Sequence, residues 1–514
     1  MYIVGLDVGT TCCKAIVFDP DGNIISYSFQ EYDIEFDETG KAEQDAERVW
    51  NITCSVLRKA IKESGKSKIR ALSLSAQGDA IIPINRNFNA LHKAILGVDY
   101  RSVRQVHECE LIFGAKELFH LTGMRPHPIN SLAKILWFKE NHPEIYKKTW
   151  KITTYADYIL GKLGADPVID YTMASRTMAF DLKSRKWSRK ILDKLNIDTN
   201  LLSDVKPSGT IVGEINKNLA NKLGLSSNTV LVTGGHDQVC AALGAGVIEE
   251  GKGVVSTGTA EVLSSAFSQP ILTDKMYDNF YPCYLYAKEG MFFTFSLNHI
   301  GGLLLKWYRD NFASTEVAEA ERDGTDVFEK ILKKVPEGPS NIMFMPHLNG
   351  SGTPWCDTYS KGAIIGLTMS TTRHDIVRAI LESQTYELKI NMEMLEANGI
   401  KVEKINAIGG GAKSPLWLQI KADILDRIIS TLRVREAACL GAAILAGAAV
   451  SLYRSVDEGV KTTVNIDKTY YPNKQKNKIY NEKFTIYRSI YPTLLPINRS
   501  LSQKESKYEH SKHY

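Results

Sequence analysis

The chain has 514 residues, of which 44% are hydrophobic and 24% are charged, so it is long enough for two or three domains with buried cores. A net charge of +5 is too small to indicate a nucleic-acid-binding protein. The eight cysteines are irregularly spaced, which favours reduced thiols over a zinc site or a disulfide framework. The N-terminus lacks the features of a signal peptide, and no apolar run approaches the ~18 residues of a membrane helix. Composition therefore predicts a soluble, cytoplasmic protein.

The first 75 residues have the pattern of a mixed α/β domain. Residues 2–6, 13–19 and 23–27 are predicted as three antiparallel strands, with Asp21-Gly22 as a hairpin turn. Asp45 is a suitable N-cap for a helix that ends near Ser64. A strand at 69–75 follows, and this order of strands and helix is typical of an α/β domain.

The middle of the chain partly repeats this opening. A strand at 229–233 leads into Gly234-Gly235-His236-Asp237 and a small-residue helix at 239–246. Strands at 253–256 and 261–265 then flank a new turn, Thr257-Gly258-Thr259. We therefore predict domains at residues 1–246 and 247–466, with a cleft between them. Residues 467–514 form a Lys-rich C-terminal extension that is predicted to be a partly disordered tail from Ser500 onward.

The turn at residues 7–11 has the chemistry of a phosphate-binding loop. Successive backbone N–H groups form a concavity for anions, and Gly9 lets a ligand approach the backbone closely. The hydroxyls of Thr10 and Thr11 add donors, and Asp7 beside a phosphate indicates an intervening Mg²⁺. An ordinary hairpin would use the same residue types, so this segment alone does not decide between the two interpretations.

Two later turns extend the pattern. Residues 257–259 offer the same donors without a carboxylate, and two such turns could bind a polyphosphate from opposite sides. Gly409-Gly410-Gly411 lies between a strand at 405–408 and a helix from Pro415. Backbone N–H groups at a helix start suit phosphate, and bare glycines let an adenine ring lie against the chain. A tight strand-to-helix turn is the alternative.

Asp237 is the candidate catalytic residue. It follows a strand end, where a carboxylate could orient an attacking hydroxyl and accept its proton late in phosphoryl transfer. Its alternative role is the N-cap of the following helix.

These segments, in this order, resemble the FGGY carbohydrate kinase family over about residues 2–450. The strongest match is Gly362-Ala-Ile-Ile-Gly366-Leu367, then seven residues, then the segment from Asp375 to Glu382. The segment 134–141 nearly matches the family's N-terminal signature. The resemblance implies an α/β fold of two ribonuclease-H-like domains, as in actin-like ATPases, with a central active-site cleft. It also implies an ATP- and Mg²⁺-dependent sugar or polyol kinase, with a homodimer as the common assembly.

The resemblance also implies roles for individual residues. Asp237 would be the general base, and Asp7 with Asp237 would flank Mg²⁺, directly or through water. The residues implied for ATP are Gly9, Thr10, Thr11, Lys14, Thr257, Gly258, Thr259, Gly409, Gly410, Gly411, Ala412 and Ser414. Those implied for the acceptor are Gln77, Gly78, Asp79, Asp99, Arg101, Asp237 and Gln238.

The acceptor region departs from the xylulokinase pattern. Gln77-Gly78-Asp79 stands where xylulokinases have Gln-Met-His, and Gly97 replaces a Trp usual two residues before Asp99. Asp79 could bind sugar hydroxyls bidentately or could belong to a surface turn. A ketopentose such as xylulose is the first choice of acceptor. Another ketose, glycerol, fuculose, gluconate or another polyol stays open.

Two other classes of protein remain compatible with the sequence. One is an actin-like ATPase without kinase activity, of the filament or chaperone type. The other is a degenerate kinase that binds sugar and regulates, although the presence of Asp7, Thr10, Asp237 and Gly410 argues against it.

Overall fold

A computed structural model describes residues 1–38, 40–65 and 68–511. Its strands are β1 Tyr2–Val8, β2 Cys12–Phe18, β3 Ile24–Glu31, β4 Glu35–Phe36, β5 Ala42–Gln44, β6 Ile69–Ala76, β7 Ile82–Ile84, β8 Ala94–Ile95, β9 Lys151–Thr153, β10 Val168–Asp170, β11 Phe180–Asp181, β12 Lys186–Trp187, β13 Asp204–Lys206, β14 Ile211–Glu214, β15 Val230–His236, β16 Gly251–Thr257, β17 Glu261–Phe267, β18 Tyr284–Leu285, β19 Phe292–Asn298, β20 Met343–Met345, β21 Ala363–Ile365, β22 Val402–Gly409, β23 Ile428–Leu432 and β24 Ile466–Tyr470.

The α-helices are α1 Ala46–Ser64, α2 Val103–Phe113, α3 Ala115–Thr122, α4 Ser131–Asn141, α5 Pro143–Lys148, α6 Tyr155–Leu163, α7 Tyr171–Arg176, α8 Arg189–Lys194, α9 Lys217–Leu223, α10 Asp237–Gly244, α11 Asp274–Asp278, α12 Gly302–Phe312, α13 Ser314–Asp323, α14 Val327–Lys333, α15 Arg373–Ala397, α16 Pro415–Leu425, α17 Ala437–Ala449, α18 Val456–Thr463 and α19 Lys474–Ser511. Short 3₁₀ turns lie at Thr199–Leu201 and Gly410–Lys413. None of the helices in the described ranges is long and apolar enough to cross a membrane. All eight cysteines are free thiols.

The N-terminal sheet has the strand order β14-β15-β6-β1-β2-β3. Strands β1, β2 and β3 are antiparallel neighbours, which confirms the predicted opening, and β6 and β15 run parallel to β1. Asp45 caps α1 by accepting hydrogen bonds from the N–H groups of Glu47 and Arg48. The predicted helix and its cap are therefore confirmed.

The C-terminal sheet repeats this topology in the order β18-β19-β17-β16-β22-β23-β24. Strands β16, β17 and β19 are antiparallel, while β22 and β23 run parallel to β16. The weak sequence repeat is thus a repeated sheet of the ribonuclease-H-like type. The chain has the predicted two-domain α/β fold.

Small residues let a helix pair approach closely where the two halves meet. A Cβ added to Gly244 of α10 would lie 1.9 Å from the carbonyl oxygen of Ala437 in α17. In the other direction, a Cβ on Gly5 of β1 would lie 1.9 Å from the carbonyl oxygen of Cys439. Because side chains would separate these backbones, glycine is needed for α17 to pack on both α10 and β1.

The C-terminal extension differs from the prediction. Residues 474–511 form helix α19, so the structure continues as a helix beyond Ser500, and residues 512–514 lie outside the described range. Tyr480, Phe484, Tyr487 and Ile490 are buried at spacings of three and four residues in the core formed with α15 and α16. The sequence contains this helical period, with polar residues such as Lys483 and Arg488 between its members, and sequence reasoning missed it.

Candidate active site

The candidate site lies at the carboxyl ends of three parallel strands. In the register of the N-terminal sheet, Asp7 of β1 and Gly235 of β15 both lie opposite Ser75 of the central strand β6. The residues that follow these strands therefore emerge at the same edge of the sheet. This topology places Asp7, the 77–79 loop and Asp237 together, as the sequence predicted.

Three side chains hold the first predicted phosphate-binding turn in place by hydrogen bonds to its carbonyl oxygens. The carbonyl oxygen of Gly9 accepts from the Tyr32 hydroxyl at 2.5 Å and from the Gln77 amide at 3.3 Å. Gln44 donates its amide to the carbonyl oxygen of Thr10 at 2.6 Å. In the described part of the chain, the N–H groups of Thr10 and Thr11 have no acceptor. The turn thus presents donors while its acceptors are satisfied, which suits an anion.

Asp7 and Lys14 lie beside this turn. Asp7 accepts a hydrogen bond from the Ser75 hydroxyl at 2.8 Å, and desolvation by the surrounding protein raises the pKa of Asp7. Lys14 pairs with Glu436 at 2.7 Å, immediately before α17. Lys14, which is predicted to contact ATP, therefore forms an ion pair with a residue of the C-terminal half of the chain.

The second predicted phosphate-binding turn, at 257–259, and the glycine turn at 409–411 are adjacent. Thr257 at the end of β16 lies opposite Gly409 at the end of β22. A Cβ on Gly411 would lie 2.6 Å from the Cβ of Thr257, so only glycine permits this packing. The exposed residues Gly258 and Thr259 form the tip of the hairpin. The predicted ATP-binding segments of the C-terminal half are thereby brought together.

The start of α16 continues this surface. Ala412 lies in the 3₁₀ turn that follows Gly409, and the Ser414 hydroxyl caps α16 by accepting from the N–H of Trp417 at 3.2 Å. Beneath the hairpin, Glu261 accepts from the Thr257 hydroxyl at 2.7 Å and from the ammonium of Lys421 at 2.5 Å. Sequence reasoning missed this fully buried pair, because its two members lie 160 residues apart.

Asp237 is the first residue of α10. His236 is the N-cap residue. The Asp237 carboxylate accepts from the N–H of Gln238 at 2.6 Å and approaches His236 Nε2 at 3.3 Å. Its alternative interpretation as the N-cap is therefore wrong. The side chain is 31% exposed. Desolvation first, and then the charge of Asp7, raise the pKa of Asp237 to about 7.

Asp79 lies beside this carboxylate rather than at the surface. It is buried, with φ +67°, and its Oδ2 pairs with the Nη2 of Arg176 at 2.6 Å. The surface-turn alternative is therefore wrong. A Cβ on Gly78 would lie 2.6 Å from the His236 ring and 3.7 Å from Arg176 Nε. The predicted acceptor loop thus contacts both the strand end that carries Asp237 and a cation that sequence reasoning missed.

Asp99 and Arg101 bind each other and other groups of the protein. Asp99 accepts from the N–H of Ala42 at 2.6 Å and binds Arg101 through both of its oxygens. Arg101 also pairs with Glu43 at 2.7 Å and stacks over Trp137 at 4.7 Å. Each oxygen of Asp99 already accepts at least two hydrogen bonds. The structure thus gives Asp99 and Arg101 an internal network, and their contact with an acceptor stays a prediction.

Aromatic residues of the second sheet contact His236 and Arg176, beside the predicted acceptor loop. The Tyr284 hydroxyl lies 3.2 Å from His236 Nδ1. The Arg176 guanidinium lies 5.6 Å from the Tyr284 ring centroid and 5.5 Å from that of Phe295. These residues were also missed, because the sequence has no local signal that pairs an aromatic residue with a site in the other domain.

The donor set fits Mg²⁺ only with help from a nucleotide. No group of three or more His, Cys, Asp or Glu side chains suited to a metal occurs within residues 1–38, 40–65 and 68–511. Asp7 and Asp237 are two carboxylates close enough for the charge of one to raise the pKa of the other. Mg²⁺ commonly binds through one or two carboxylates together with waters and substrate phosphates. The residues present fit that mode.

Comparison with known proteins gives matches along nearly the whole chain. Models of the N-terminal and C-terminal domains of the FGGY family of carbohydrate kinases match residues 2–244 and 253–450. A xylulose kinase of Staphylococcus xylosus is 29% identical over 95% of this chain and 99% of its own length. A gluconokinase of Bacillus licheniformis is also 29% identical, over 98% of this chain and 99% of its own. The crystal structure of a ligand-bound xylulose kinase from Lactobacillus acidophilus superposes with a TM-score of 0.86 at 26% identity, covering 96% of this chain and 98% of that one.

Proposed function

Because the chain belongs to the FGGY family of carbohydrate kinases, we propose that it transfers the γ-phosphate of MgATP to a hydroxyl of a ketopentose such as xylulose. The observation that carries this proposal is the convergence of Asp7 and Asp237 at one sheet edge, beside a turn with free N–H donors. That arrangement supplies a group for the acceptor hydroxyl and a group for the nucleotide's cation. A cytoplasmic location and a homodimer stay predictions.

Asp237 is the general base in this proposal. Its pKa of about 7 is close to the working pH, which is the favourable range for a base. The acceptor oxygen bonds to the γ-phosphorus as the bond from that phosphorus to the bridging oxygen of ATP breaks. The acceptor proton passes to the Asp237 carboxylate, and ADP leaves. Because phosphoryl transfer needs little covalent assistance, the carboxylate acts mainly by orienting the hydroxyl.

The turns supply electrostatic stabilisation. The N–H groups of Thr10 and Thr11, with the turn at 257–259, would hold the phosphates, and the turn at 409–411 with Ala412 and Ser414 would hold the adenosine. Mg²⁺ held by Asp7 and Asp237 would neutralise phosphate charge when bound.

Closure of the two domains would exclude water from the reaction. Water competes with the sugar as a phosphoryl acceptor, so an acceptor that binds first and brings the domains together protects ATP from hydrolysis. The contact of Tyr284 with His236 joins the second sheet to the residue before Asp237, so a movement of the second sheet would be transmitted to this side of the site.

Of the alternatives left open by the sequence, one is now excluded and another remains. An actin-like filament or chaperone ATPase is overturned, because FGGY kinase models match both halves of the chain. A kinase for gluconate, glycerol, fuculose or another polyol remains the second candidate, since the xylulose kinase and the gluconokinase are equally similar to this chain.

A panel assay tests the proposal. ADP release would be coupled to a spectroscopic readout across ketopentoses, other ketoses, polyols and aldonic acids, and NMR would locate the phosphate on the product. We expect acceptor-dependent turnover with a ketopentose among the best substrates. ATP turnover that is indifferent to every acceptor would refute the proposal.

A further inference from the structure

The pair formed by Asp79 and Arg176 has unused hydrogen-bonding capacity. Both side chains are 5% exposed, and one carboxylate oxygen bonds one guanidinium nitrogen at 2.6 Å. Among the residues that the structure describes, the other carboxylate oxygen, Asp79 Oδ1, has no hydrogen-bond partner, and neither does Arg176 Nε. A buried polar atom without a partner is costly unless a ligand completes it.

These atoms lie on the acceptor side of the site. Arg176 Nε is 3.7 Å from the position that a Cβ of Gly78 would occupy, and the same Cβ would touch His236, the neighbour of Asp237. The electrostatic influence of Arg176 and Asp79 also reaches Asp237. A molecule that places its hydroxyl at Asp237 would therefore have its adjoining atoms near the unused acceptor and donor.

The charges around this region disfavour an anionic acceptor. Arg176 is already paired with Asp79, and Asp7 and Asp237 add further carboxylates. The nearby Lys134 donates to the carbonyl oxygens of Asp79 and Ile129, and burial lowers its pKa to about 7. No unpaired permanent cation is therefore available to compensate an added carboxylate among the described residues of this cluster. Burying a charge without a partner is strongly unfavourable.

We propose that Asp79 and Arg176 are specificity-determining residues that select an uncharged polyhydroxy acceptor. Asp79 Oδ1 accepts from one hydroxyl, and Arg176 Nε donates to a neighbouring hydroxyl or carbonyl oxygen. This inference rests on the proposed kinase function and narrows its substrate class, because it excludes aldonic acids such as gluconate as preferred substrates. Asp79 has two effects in this proposal. It binds a hydroxyl, and it neutralises the Arg176 charge that would otherwise attract an acidic acceptor.

The test compares a neutral ketopentose with an aldonate in the wild type, Asp79→Asn and Arg176→Lys. We expect the wild type to favour the ketopentose by about 100-fold or more in kcat/KM. Asp79→Asn keeps the shape but frees the guanidinium charge, so the preference should fall by about 10-fold or more, mainly through KM. Arg176→Lys keeps the charge but removes the Nε donor, so KM for the ketopentose should rise about 10–100-fold with a smaller change in kcat.

A matched control and a binding measurement keep the outcomes separate. Glu396→Gln removes one carboxylate charge from a different ion pair, with Arg427, and should leave the preference unchanged. A wild type that prefers the aldonate, or an Asp79→Asn variant with unaltered preference, overturns the inference while the kinase function stands. If no acceptor is phosphorylated, the kinase proposal fails. Calorimetric binding of both compounds without ATP then decides the inference, which is overturned unless the ketopentose binds more tightly than the aldonate.

Discussion

Replacing Asp237 with asparagine tests two expected effects of this carboxylate, one on turnover and one on the free energy of unfolding. The variant keeps the shape of the side chain but has no charge and no basic oxygen. We expect turnover to fall by about 100-fold or more, because the acceptor hydroxyl loses the group that orients it and accepts its proton. We expect the free energy of unfolding to rise at neutral and alkaline pH, because the wild type must keep an ionised carboxylate out of water.

The magnitude follows from the pKa. The folded value of about 7 lies above the ordinary value of 3.8, so unfolding releases a proton between these pH values and wild-type stability falls across that window. At 1.36 kcal/mol per tenfold change, the ceiling is about 4 kcal/mol above pH 7. Because the side chain is 31% exposed, solvent screening should reduce the gain of the variant to about 2 kcal/mol at pH 8, with almost none at pH 4.

Urea unfolding of both proteins at pH 4, 6 and 8, in EDTA and without nucleotide, measures this difference, and steady-state kinetics measure turnover. Asp375→Asn is the contrasting control, because the hydroxyl and the N–H of Thr372 donate to the Asp375 carboxylate at the start of α15 and hold its pKa below the ordinary value. It should lose stability, by about 1 kcal/mol or less, at pH 8 and not at pH 4. A difference between Asp237→Asn and the wild type that does not change with pH would refute the electrostatic reasoning. Full activity of the variant would refute the general-base role.

Three further substitutions test other parts of the structure. Gly411→Val would place side-chain atoms against Thr257, so KM for ATP should rise about 10-fold or more while acceptor binding is retained, as measured by kinetics with each substrate varied. Tyr487→Phe removes the hydroxyl that donates to buried Glu387 at 2.6 Å, and unfolding titrations should show a loss of about 1–3 kcal/mol. Lys421→Met leaves the buried carboxylate of Glu261 without its cation. The free energy of unfolding, measured in the same titrations, should therefore fall by about 3–5 kcal/mol.

For each of these three substitutions, a specific result would contradict the expectation. Unchanged KM for ATP in the glycine variant would mean that the two turns of the C-terminal half do not form one nucleotide site. Wild-type stability after Tyr487→Phe would mean that α19 is not held by its buried hydroxyl. A more stable Lys421→Met protein would mean that the buried ion pair costs more than it contributes.

The sequence by itself determined the local features and their order. Turn chemistry at residues 7–11, 257–259 and 409–411, the Asp45 cap and the alternating strands depend on residues close together in the chain. The limits of these elements were predicted to within four residues of the observed ones, and several coincide with them. Their order carried the family resemblance, and the two family models confirmed it.

Only the tertiary structure decided which distant side chains meet. Arg176 pairs with Asp79 across 97 residues, and Tyr284 reaches His236 from the other sheet. No spacing rule predicts such contacts, because they depend on sheet register and on the docking of two domains. Folding likewise satisfied the carboxylate of Asp99 internally, while one oxygen of Asp79 has no partner in the described part of the chain. Two aspartates that look alike in the sequence have different surroundings in the fold, because burial and partners, rather than residue type, decide which polar atoms are left without a hydrogen bond.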